Sequence, residues 1–177
     1  IGATSTHSLN PLSISREADL EEGSPIKRKA EFVLSMCEVL VGGTMGLSPA
    51  ERSVVDRVAT AMYNKWWQSK NAPQPTMATF YDALVAEPDE PAQHVAAALE
   101  IYAKGTFSGF AQQTNVDTSG RFTIYDISTL GSELKTFGML VVLEEIWSRV
   151  RVNRAAGKRT WVYIDEFHLL FDNEYAA

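Results

Sequence analysis

The chain has one cysteine, Cys37, in 177 residues. No internal disulfide is open to it, and the thiol sits among apolar residues at helical spacing. Cys37 therefore reads as a small buried hydrophobe. With three histidines scattered along the chain, no Cys/His set has the spacing of a zinc site. No apolar run approaches the ~18–20 residues of a membrane span, and no secretory leader pattern is visible. Basic excess is missing as well: 16 Lys and Arg against 22 Asp and Glu give a net charge of −6. That excludes a surface built throughout to neutralise phosphates, though it leaves room for local basic patches. What remains is an ordinary globular composition, 45% apolar and 21% charged, on a chain long enough to bury a proper core.

One further absence concerns chemistry. A phosphate-cradling loop ends in Gly-Lys-Ser/Thr, with a glycine five residues before the second one. Gly157-Lys158-Arg159-Thr160 has the Gly-Lys pair, but Val152 stands where the upstream glycine belongs and Arg159 where the hydroxyl belongs. Gly42-Gly43-Thr44-Met45-Gly46 has no lysine and reads as a helix terminator.

Helix signals fill the first part of the chain. Residues 1–24 are polar and irregular around Leu9-Asn10-Pro11-Leu12, with at most one short strand. Ser24-Pro25 then opens a helix carrying Phe32, Leu34, Met36, Val39 and Leu40. Ser48-Pro49-Ala50-Glu51 is a capping box with proline at the first helical position. It starts a long helix carrying Val54, Val55, Val58, Ala61, Met62 and Trp66, closed by Pro73 and Pro75. Thr76 opens a third helix through Phe80 and Leu84, and Asp89 a fourth through Val95, Leu99 and Tyr102, ended by Gly105. Residues 25–105 therefore read as an all-helical subdomain, with Tyr63, Trp66 and Trp67 as core.

Residues 106–177 change character. The stretch 121–127 is β-branched and aromatic, a strand signal, and 132–153 carries Leu134, Phe137, Leu140, Val141 and Trp147 at helical spacing. Trp161-Val162-Tyr163-Ile164 then reads as a second buried strand. Together they predict a βαβ unit with parallel strands joined by a right-handed crossover.

The second strand runs straight into Asp165-Glu166. Two adjacent carboxylates at the tip of an apolar strand are the Walker B pattern of ATP-hydrolysing proteins, Asp for the Mg²⁺ shell and Glu for the attacking water. The same residues also suit a strand that ends in polar groups and caps a helix with Asp165. The pattern by itself leaves both open. A basic cluster, Arg149, Arg151, Arg154, Lys158 and Arg159, offsets the macrodipole at the end of the preceding helix or else meets a partner.

Four collinear stretches resemble the large ATPases of type IV secretion and conjugative transfer systems, of the TraC/TrbE and VirB kind. They are Leu9-Asn10-Pro11-Leu12; Cys37-Glu38-Val39-Leu40 through Gly46-Leu47-Ser48-Pro49-Ala50-Glu51-Arg52; Thr114-Asn115-Val116-Asp117 with Arg121-Phe122; and residues 130–171. In the last, Gly138-Met139-Leu140-Val141-Val142 and Asn153-Arg154 through Asp165-Glu166 are closely similar to the family. The resemblance implies an α/β fold: part of a RecA-like P-loop NTPase domain interrupted by a helical insertion. It implies Asp165 as the Mg²⁺-associated carboxylate, Glu166 as the catalytic base, and ATP with Mg²⁺ as cofactors. Self-association into a hexameric ring, secretion-channel components as partners, and a cytoplasmic place at the inner face of the membrane are further implications. Because the phosphate loop is missing, the chain is expected to be an internal segment of a larger ATPase and to hydrolyse nothing alone. Two other functions fit the residues: a helical interaction module, and a DNA-pumping motor of the same superfamily.

Overall fold

A computed structural model describes residues 7–16 and 23–165. Five α-helices and one short 3₁₀ helix follow in order: α1 Pro25–Leu40, α2 Pro49–Gln68, α3 Met77–Val85, α4 Glu90–Ala103, the 3₁₀ helix Ser108–Phe110, and α5 Ser132–Ala155. Their starts lie where the capping residues place them. Ser48 Oγ accepts from the Glu51 amide while the Glu51 carboxylate accepts from the Ser48 amide, so two orphan donors of α2 are satisfied at once. Thr76 and Thr79 do the same for α3. Ser24 and Asp89 precede helices whose first turn holds a proline, a residue that costs nothing there because its missing N–H would be unpaired anyway.

The helices α1 and α2 pack on one another, as do α3 and α4, and α2 touches all three. Their buried faces form one apolar core with Val33, Met36, Val55, Tyr63, Phe80, Leu84, Val95 and Leu99 at its centre, each fully enclosed. On α1 the buried stripe is Lys29, Ala30, Phe32, Val33, Met36 and Cys37. Leu34, Val39 and Leu40 only border the core, so the face is rotated from the expected one. Cys37 is wholly enclosed, and burial pushes its thiol well above the usual range, which leaves it unreactive. No helix among the described residues is long and apolar enough to cross a membrane.

The expected α/β architecture is not what the chain adopts. Among the described residues there is no strand and no sheet, so the βαβ unit and the partial RecA-like domain expected over 106–177 are corrected to one long helix, α5, flanked by irregular chain. A strand is stabilised by its ladder partner, and among the described residues these segments have none: no backbone hydrogen bond joins 121–127 to 161–164. The run 161–164 lies open to solvent, with Trp161 77% and Tyr163 90% exposed, while 121–127 exposes Phe122 (83%) and Ile124 (75%) and rests only Tyr125 and Ile127 against the core. Their β-branched and aromatic side chains satisfy the local signal for a strand without the neighbour that would complete one.

Candidate functional site

The approach to the acid pair begins at the end of α5. Gly157 takes φ +67°, the left-handed conformation that glycine adopts without strain. The Lys158 amide then donates to the Asn153 carbonyl at 2.7 Å and the Gly157 amide to the Arg154 carbonyl at 2.9 Å, a Schellman closure of the helix. Thr160 Oγ1 accepts from Asn153 Nδ2 at 2.9 Å and holds the outgoing chain against the helix end. So Gly157-Lys158 is a helix stop, which agrees with its failure as a phosphate loop. From there 161–164 runs exposed to Asp165, the last described residue, which is itself exposed. Glu166 lies outside the described residues.

The basic cluster divides. Arg154, Lys158 and Arg159 are exposed at the closed end of α5, where cations offset the helix dipole. Arg151 turns inward, 3.7 Å from the Glu144 carboxylate.

A second polar centre lies away from the acid pair and was not legible as a site in the sequence. Residues 8–16 form a strap buried against the helices. Asn10 is its hub: Nδ2 donates to the Pro75 carbonyl at 2.9 Å, Oδ1 accepts from the Leu12 amide at 3.0 Å, and the Asn10 amide donates to Thr114 Oγ1 at 2.9 Å. Tyr63 donates its hydroxyl to the Leu12 carbonyl at 3.0 Å, and Gln74 both donates to and accepts from the Ile14 backbone. Arg16 stacks over Trp66, 4.4 Å from the ring centroid. The strap also carries Leu9, Leu12 and Ile14 into the main core.

Lys29 closes this centre. Its ammonium, on a residue only 8% exposed, donates to the Pro11 carbonyl at 3.1 Å and pairs with Glu144 of α5 at 2.8 Å. Burial lowers the Lys29 pKa, and Glu144 opposes that shift. A small cleft beside the pair is lined by Asn10, Ser13, Lys29, Glu144, Glu145 and Ser148, and by no residue of the acid-pair segment. The sequence does hold a signal for Lys29. It precedes Phe32, Val33 and Met36 at helical spacing, so it shares their buried face.

Among the described residues no group of three or more His, Cys, Asp or Glu comes together in a way that could hold a metal ion. Asp165 by itself offers one carboxylate. A Mg²⁺ held there would take its remaining ligands from water and substrate phosphates. Nothing in the sequence offers the cradle of backbone amides that a triphosphate needs.

No family model matches the chain, and no curated protein does. Among solved structures, the chain is similar to VirB4 of Thermoanaerobacter pseudethanolicus, with a TM-score of 0.68 at 18% identity. The likeness covers 83% of this chain and 59% of that one, so this chain spans little more than half of the VirB4 chain. At that identity the likeness establishes a shared fold.

Proposed function

We propose that this chain is a region of an ATPase that drives type IV secretion or conjugative transfer. The observation that carries the reading is the likeness to VirB4 over 83% of the chain, since the family is the one the sequence stretches independently resemble. In this reading Glu166 is the base that takes a proton from the attacking water, and Asp165 places its carboxylate toward Mg²⁺ through that ion's water shell. MgATP, when bound, supplies the transferable phosphoryl group and the positive charge beside it. The amides and lysine that would hold the triphosphate come from a phosphate loop that this sequence does not contain, so hydrolysis belongs to a protein form that carries one. Assembly into a ring, contact with secretion-channel components and a place at the cytoplasmic face of a membrane belong to the same proposal.

The experiment is genetic. Disrupting the gene that encodes this chain should abolish secretion or conjugative transfer by the cell that carries it, and the intact gene should restore it. Undiminished secretion and transfer in the disrupted strain would sink the reading.

A further inference from the structure

The helix α5 is fastened unevenly along its length. Its first half is bolted by apolar packing: Leu134 is 3% exposed, Phe137 1% and Val141 1%. The Phe137 ring meets Phe110 edge-on with centroids 5.0 Å apart. Gly138 lets Leu130 pack directly on the helix, because a Cβ there would lie 2.2 Å from Leu130 Cδ1. Past Val142 no residue of the helix is buried, and Trp147 stands 58% exposed. In that second half the anchoring groups are polar. Glu144 pairs with Lys29 at 2.8 Å, and Glu145 accepts from Thr118 Oγ1 at 2.8 Å.

We propose that the Lys29–Glu144 pair is a releasable latch: it docks the second half of α5 onto α1 and onto the Pro11 carbonyl of the strap. When the pair opens, that half detaches while the Phe137 anchor stays closed. Three segments distant in sequence meet at one ammonium, so loss of its contact to Glu144 releases the second half of α5 from the other two, which stay joined through the Pro11 carbonyl. The pair is also of the kind whose loss is strongly felt on one side only. Removing Glu144 leaves the Lys29 ammonium without its paired carboxylate in a sparsely hydrated place, whereas replacing both with apolar groups leaves no buried ammonium. Since α5 continues through Gly157 into the segment that carries Asp165, the latch also sets where that carboxylate is placed. This consequence rests on the functional reading above; the latch itself does not.

Amide hydrogen exchange on the 177-residue chain, without nucleotide, reads the latch directly. Lys29→Met and Glu144→Gln should each speed exchange at residues 144–155 by about tenfold or more, while α2, α3 and α4 stay within about twofold. The double variant Lys29→Met/Glu144→Met should return exchange toward that of the unmodified chain. Equal acceleration in all five helices would make the pair an ordinary stabilising contact and overturn the proposal. Unchanged exchange in the second half of α5 in both single variants would overturn it too. If Lys29→Met fails to fold, Glu144→Gln decides alone, because it leaves Lys29 bonded to Pro11. No ATP enters the assay, so its failure is separate from any failure of the acid-pair reading.

Discussion

Glu166→Gln, in a form of the protein that carries a phosphate loop, should bind nucleotide nearly as well as the unmodified protein and hydrolyse it ~10²-fold more slowly or worse. Gln keeps the size and the hydrogen-bonding oxygen of Glu but cannot take a proton from water. The ground state, held by contacts to phosphates, is therefore untouched while the transition state loses its base. Single-turnover hydrolysis measured beside equilibrium nucleotide binding separates the two effects. Turnover at the unmodified rate would return Asp165-Glu166 to the plainer role of ending one segment and capping another.

The second large effect is on stability. Phe80→Ala should destabilise the fold by ~3–5 kcal/mol, the range for emptying a buried aromatic site. Phe80 is wholly enclosed on α3, in the core that α3 shares with α2 and α4, and neighbours so tightly held cannot collapse into the void. In thermal unfolding this corresponds to a fall in Tm of roughly 6–20 °C for a chain of this size. Met45→Ala, at a residue 94% exposed, serves as the control and should shift stability by less than about 0.5 kcal/mol. Equal effects from the two would mean that the core is not the one described.

The helices were legible because their signals are local. A hydroxyl at Ser48 with Glu51 three residues on, or Thr76 with Thr79, determines a helix start within one turn of chain. Gly157 stops α5 by a backbone conformation that the residue itself permits. The β reading failed for the complementary reason. The apolar and aromatic runs at 121–127 and 161–164 report side-chain preference, but a strand also requires a partner backbone, and sequence pattern says nothing about where one lies. The strap escaped for a similar cause. Asn10 looks like a turn residue in a polar stretch, yet its bonds run to Pro75 and Thr114, 65 and 104 residues away. Lys29 fell between the two cases. Its helical register with Val33 and Met36 puts it on the buried face although a lysine charge favours the surface, and Glu144, 115 residues on, supplies the counter-ion that reconciles the two.

For the candidate site, the failure of Gly157-Lys158 as a phosphate loop was legible in the residues themselves, and Asp165-Glu166 stood out as an acid pair. Whether the acid pair does chemistry depends on groups that approach it from elsewhere, and no local pattern encodes those. The most direct measurement is therefore the Mg²⁺ dependence of nucleotide affinity in a phosphate-loop form of the protein, compared between the unmodified protein and Asp165→Ala. If Asp165 serves the metal, Mg²⁺ should tighten nucleotide binding in the unmodified protein and add little in the variant, while binding without Mg²⁺ stays the same in both. An equal Mg²⁺ effect in the two proteins would contradict the account.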